Sequence, residues 1–173
     1  MTPFFVTGLP RSRTAWMANW LTTDRSLCYH DTPFNARLLL DDRFIGFSGP
    51  ELACQYDGIV QQYPDSPWLV LVRPADDSLR SFRKWAGDKV KAPVNFLESE
   101  WLKRNNDLLK ITQSPRTQTF EWTDVDDAVW ALEMWNHLLP ELKPDRQRWR
   151  LLCEWNIQQN LEKGLKRWQQ ARY

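Results

Sequence analysis

The sequence predicts an α/β fold: a mostly parallel sheet followed by a helical C-terminal half. Three observations predict it. Short apolar, β-prone runs alternate with helical segments through residues 4–85, the pattern of strand–helix–strand crossovers. One run, Trp68 to Val72, is apolar at every position, as expected of a parallel strand buried on both faces. Beyond residue 90 helical spacing of apolar residues dominates.

The elements follow in order. Phe4 to Thr7 is a strand that ends in Gly8, Pro10 and a basic cluster. Thr14 to Leu21 is a helix, with Trp16, Met17, Trp20 and Leu21 at helical spacing. Ser26 to His30 is a second strand and Phe34 to Asp42 a helix. Phe44 to Phe47 is a third strand, closed by Ser48-Gly49-Pro50. Glu51 to Tyr63 is a helix stopped by Pro64. The strand Trp68 to Val72 precedes a helix over Asp76 to Trp85. Phe96 to Thr112 is an amphipathic helix, Thr119 to Trp122 a late strand, and Asp124 to Leu139 a helix with Asp at its start. Asp145 to the C-terminus holds one or two further helices. No linker separates two domains, so the 173 residues are expected to form one.

Composition narrows the function classes. Lys and Arg number 23 against 22 Asp and Glu, a net charge of +1, so a generic polyelectrolyte binder is excluded and nucleic acid is not an expected partner. Mean hydropathy is −0.61 although 42% of residues are hydrophobic; eleven tryptophans account for the mismatch, because Trp packs as a large apolar body with one polar atom. No run approaches the length of a membrane span, and no signal peptide is read at the N-terminus. Three scattered cysteines, Cys28, Cys54 and Cys153, fit no metal pattern and are expected as reduced thiols of a cytoplasmic protein.

The segment Gly8-Leu9-Pro10-Arg11-Ser12-Arg13-Thr14-Ala15-Trp16 carries the first chemistry. A buried strand runs into a short loop with two arginines and two hydroxyls, and a helix begins. Unpaired helix N-terminal amides, hydroxyls and guanidinium groups together make an anion site for phosphate or sulfate; a plain capped helix with solvated arginines would use the same residues. A nucleotide-triphosphate loop would need G-x-x-x-x-G-K-[ST]. Counting from Gly8, Arg13 stands at the second glycine and Thr14 at the lysine, so that pattern fails.

Pro10-Arg11-Ser12-Arg13-Thr14-Ala15-Trp16 resembles the P-[KR]-S-G-T-T-W motif of sulfotransferases that use 3′-phosphoadenosine 5′-phosphosulfate (PAPS). It departs at Arg13, where the family has Gly, and at Ala15. A second segment, Arg73 to Phe82, resembles the family's 3′-phosphate motif R-x-P-x-x-x-x-x-S-[YF]. Ser81 stands eight residues after Arg73, and the proline comes one position early, at Pro74. Both segments follow apolar strands, in the family's order. The resemblance covers about half the chain and is closest to compact bacterial or phage-encoded members.

The resemblance implies a P-loop-like three-layer sandwich and transfer of a sulfuryl group from PAPS, leaving 3′,5′-adenosine bisphosphate (PAP), to a hydroxyl or amine of a small-molecule or carbohydrate acceptor, without a metal. It implies that Arg11 acts on the leaving oxygen and that Ser12, Arg13, Thr14 and Ala15 cradle the phosphosulfate. Trp16 would stack near the adenine, and Arg73 and Ser81 would hold the 3′-phosphate. The acceptor's proton needs a base. His30 is the first candidate, with Asp31 as its orienting partner or the base itself; Glu51 is a weaker one, and Ser48 stands where some members have a histidine. Tryptophans of the helical half are expected mostly in the core, one or two lining an acceptor pocket. The alternatives are a nucleotide-dependent phosphotransferase and a catalytically degenerate member that binds a nucleotide or a partner.

Overall fold

The computed structural model describes residues 2–40, 42–86 and 94–155. Five strands form one all-parallel sheet: β1 (Phe4–Gly8), β2 (Ser26–His30), β3 (Phe44–Ser48), β4 (Trp68–Val72) and β5 (Thr117–Glu121), in the order β2-β3-β1-β4-β5. The helices are α1 (Thr14–Leu21), α2 (Tyr56–Gln62), α3 (Ala75–Ala86), α4 (Val94–Thr112), α5 (Ala128–Leu138) and α6 (Arg146–Trp155). Residues beyond 155, where further helices were expected, lie outside the described residues. Among the described residues no helix is long and apolar enough to cross a membrane.

Period-two alternation of the strands builds two cores. Phe4, Val6, Leu69 and Leu71 point to one face, where Trp16, Met17, Trp20 and Leu21 of α1 and Ala131, Met134, Trp135 and Leu138 of α5 cover them. Phe5, Ile45, Phe47, Trp68 and Val70 point to the other, under Ile59 of α2 and Leu108 and Ile111 of α4. Gly46 is required on the first face: a side chain there would overlap the Phe4 ring.

Strand β1 is central. Its crossover runs through α1 to edge strand β2, whereas β3 crosses back over β1 to β4 and the chain continues outward to β5. Right-handed crossovers running in opposite directions place their helices on opposite faces. The chain therefore leaves β1 and β4 toward opposite faces, which makes the carboxyl ends of these two strands the switch point at which open parallel sheets bind ligands.

Four expectations need correction. Phe34 to Asp42 is not an α-helix; a 3-10 stretch, Ala36–Leu40, takes its place with none of its residues buried. The Asn35 side chain accepts from the Arg37 amide, tightening the turn, and Phe34 is drawn instead against Phe5, Phe47 and Tyr63. Glu51 to Tyr63 is split into a 3-10 stretch, Pro50–Gln55, and α2. Asp124 to Leu139 is likewise split: a 3-10 turn, Asp124–Asp126, precedes α5, whose cap is Asp127, accepting from the amides of Val129 and Trp130. The late strand begins two residues earlier than expected, at Thr117, because its partner β4 sets the register.

Candidate functional site

The chain leaves β1 at Gly8, whose Cβ, were there one, would meet the Leu71 carbonyl oxygen of β4 at 2.6 Å. Glycine thus lets the loop start hard against the neighbouring strand. Arg11 and Arg13 then adopt left-handed backbone, with φ 71° and φ 64°. Arg13 is the position where the resembled motif has glycine, and its backbone takes the conformation that glycine adopts without cost.

The carbonyl side of the loop is engaged by protein. The Ser12 amide donates to the Leu9 carbonyl at 3.1 Å. Ser78 of α3 donates its hydroxyl to the Pro10 carbonyl, and Arg73, just past β4, donates to the Arg11 carbonyl. On the other side, α1 begins with Arg13 as its cap residue and no capping side chain, so its first amides keep the character of an anion site. The Ser12 side chain is fully buried and its hydroxyl has no hydrogen-bond partner among the described residues. Thr14 is also buried; its carbonyl accepts from the Ser48 hydroxyl at 2.8 Å. Ser48 is thereby committed to holding the first turn of α1 against β3.

Three guanidinium groups converge here. Burial pushes the Arg11 pKa down. Burial pushes that of Arg73 down as well; Asp77 opposes the shift, and Arg11 and Arg13 add to it. Arg13 pairs with Asp126, just past β5. Its guanidinium lies 5.4 Å from the Trp122 ring centroid, and that of Arg73 lies 4.1 Å from the same centroid. Three cations held this close, with Asp126 and Asp77 as counter-charges, suit an anion of several charges.

Most of the sequence-derived residues meet at this edge. Arg11, Ser12, Arg13, Thr14 and Arg73 do. Ala15 follows in the first turn of α1. The α3 hydroxyl that bonds the loop is that of Ser78, one helical turn before Ser81, or roughly 4.5 Å along the axis. Trp16 is a core residue, 3% exposed and packed 5.5 Å from Trp20, which leaves its ring no face for a nucleobase. The ring among the arginines is Trp122, brought in from the end of β5. Of the other helical-half tryptophans with described side chains, Trp135 is core, Trp149 half-buried and Trp130 44% exposed.

A second group stands at the ends of β2 and β3. His30 Nε2 lies 3.2 Å from Asp31 Oδ1, and Asp31 has φ 48°, which Asp tolerates better than most residues. Burial lowers the His30 pKa, and Asp31 opposes that. The Asp31 amide donates to the Ser48 carbonyl and the Gly49 amide to the Val6 carbonyl, each at 3.0 Å. Thr7 donates its hydroxyl to the Gly49 carbonyl. Glu51 folds its carboxylate back into the space a side chain at Gly49 would fill. Burial raises the Glu51 pKa; its own amide opposes the shift, Asp31 adds to it and Arg104 of α4 opposes it.

The three cysteines are free thiols: Cys28 buried, Cys54 exposed and Cys153 half-buried. Burial pushes the Cys28 thiol up, and the Cys153 thiol up to about 11, so neither is an activated nucleophile.

Sequence comparison brings no relative to this site: no protein-family model matches the chain, and no curated protein matches it significantly. What stands without them is the architecture itself, an α/β fold with a five-stranded all-parallel sheet flanked by helices.

Proposed function

We propose that the chain is a P-loop-like three-layer sandwich that binds PAPS and transfers its sulfuryl group to a hydroxyl or amine of a small-molecule or carbohydrate acceptor in the cytoplasm. The observation that supports this best is the convergence of Arg11, Arg13 and Arg73 on the loop that holds the buried, unpartnered Ser12 hydroxyl. A buried hydroxyl without a partner is costly unless a ligand supplies one.

When bound, PAPS supplies an activated sulfur centre, and sulfuryl transfer, like phosphoryl transfer, is in-line displacement with charge gathering on the equatorial and leaving oxygens. The chain's part is positioning and charge stabilisation. Amides of Arg13 and Thr14 and the hydroxyls of Ser12 and Thr14 cradle the phosphosulfate. Arg11 stabilises the leaving oxygen. Arg73 takes the 3′-phosphate, with Ser81 of α3 beside it. Arg13 adds a guanidinium where the resembled motif has only backbone.

Calorimetric titration with PAP, using AMP and ATP as controls, tests the reading. PAP is expected to bind at least ten-fold more tightly than either control, and Arg73→Ala to lose at least ten-fold in PAP affinity. A folded protein that does not bind PAP would overturn the donor assignment.

A further inference from the structure

A cavity of about 380 Å³ lies between α5 and α6, against the C-terminal end of α1. None of the anion-loop residues lines it. Trp20 does, and it stands six residues past Thr14, about 9 Å along the helix axis. The volume is at the small end of ligand pockets, which span about 300–1,000 Å³. Its lining is largely apolar: α5 contributes Ala128, Val129 and Leu132, and Trp20, Trp149 and Pro144 add to them. Both indole N–H groups are spent on backbone carbonyls, Trp20 on that of Asp145 at 3.3 Å and Trp149 on that of Val125 at 2.9 Å. The rings therefore offer a guest only their apolar surface. Val129 is 64% exposed, an aliphatic side chain that a guest would take out of water.

The charge of the lining is one-sided. Among the described residues, Arg146 and Arg150 line the cavity and no carboxylate does. They stand four residues apart in the first turns of α6, so they share one helix face with Cβ atoms about 6 Å apart. Neither has an ion-pair partner among the described residues. The nearest acid in sequence, Asp145, spends a carboxylate oxygen on the Arg148 amide at 2.8 Å, and Arg148 itself turns to the Asn19 carbonyl. Like charges at this spacing repel, and the positive end of the helix dipole adds to the repulsion. An anion between the two guanidinium groups relieves both effects. A carboxylate matches their planar fork, and the aliphatic lining beside them matches a hydrocarbon chain.

We propose that this cavity binds a small amphiphile with a carboxylate head and an unbranched aliphatic body. The head sits between Arg146 and Arg150, and the chain lies along Val129 and Leu132 against the two indoles. None of these residues is assigned to the donor, so the inference goes beyond the donor reading and does not depend on it.

The test uses the full chain. Decanoate is titrated calorimetrically, with decanol and decyltrimethylammonium as controls for the head and acetate as the control for the chain. Decanoate is expected to bind at one site, about ten-fold or more tighter than any control. Arg146→Ala/Arg150→Ala is expected to weaken decanoate about ten-fold while leaving decanol unchanged. Ala128→Trp, at an exposed position on the lining, keeps both arginines and fills the cavity; it is expected to weaken decanoate by about the same factor. Circular dichroism confirms that each variant folds, and if one does not, the other decides. No decanoate binding by the folded wild type, an affinity matched by any control, or an affinity unchanged in a folded variant would overturn the inference. PAP titrated into the same proteins reads the donor site separately, so either reading can fail while the other stands.

Discussion

The guanidinium of Arg73 lies 4.1 Å over the ring of Trp122, so the end of β5 fixes a cation that the sequence places at the end of β4. The same group donates to the Arg11 carbonyl, which ties it to the loop after β1. A cation over an indole face gains about 0.5–2 kcal/mol depending on exposure. Trp122→Ala is therefore expected to weaken PAP binding about three- to ten-fold without touching the loop itself. Calorimetry on the variant, with circular dichroism to confirm folding, checks this; an unchanged PAP affinity would remove Trp122 from the site.

Arg13 combines a left-handed backbone, φ 64°, with a pair to Asp126 and a place beside Trp122. Left-handed backbone costs a non-glycine residue about 1–2 kcal/mol. Arg13→Gly loses the side-chain contacts but sheds that cost; Arg13→Ala loses the contacts and keeps it. The glycine variant is expected to be about 1 kcal/mol more stable than the alanine variant, a difference of about 2–4 °C in Tm for a domain of this size. Equal melting temperatures would mean that residue 13 does not hold the left-handed conformation in solution.

His137 of α5 places Nε2 2.9 Å from the Trp68 carbonyl, so the ring donates there. Burial lowers its pKa, and backbone hydrogen bonds to Trp68 and Arg116 oppose this without reversing it. The folded state thus prefers the neutral ring, and the unfolded chain binds the proton more readily. Stability from this residue is present above the ordinary histidine value of about 6.5 and is lost as pH falls through the lower folded value. His30 acts in the same direction, while Glu51, raised in the fold, acts in the opposite one. Urea midpoints are expected to drop between pH 7 and pH 5, and His137→Gln, which keeps a donor but cannot titrate, to flatten part of that drop. An identical slope in the variant would sink the assignment.

The centre of the sheet was legible because β1, β3 and β4 are buried along nearly their whole length: Trp68 to Val72 has no polar residue to confuse its reading, and β4 lies where the run says. Helix boundaries were less so where capping groups compete. Asp124, Asp126 and Asp127 all offer a carboxylate to a helix start, and the chain uses a 3-10 turn before committing to Asp127. The loop residues Arg11 to Thr14 were readable because they are contiguous. Trp122 and Asp126 were not, since only the pairing of β5 with β4 brings them to the arginines. Spacing from Arg73 pointed to Ser81 and did not single out Ser78, the α3 hydroxyl that bonds the loop. A serine three residues off is one turn on the same side of a helix, a difference that spacing in sequence does not resolve.

The carbonyls of Leu9, Pro10 and Arg11 are each taken by a donor from the loop or from the neighbouring β4–α3 junction. With that edge fastened, the amide edge is presented in a conformation set before any anion arrives. Association then costs little loop ordering. The expected kinetic signature is a single fast, salt-sensitive on-rate, governed by the arginine field, with no slower isomerisation following capture.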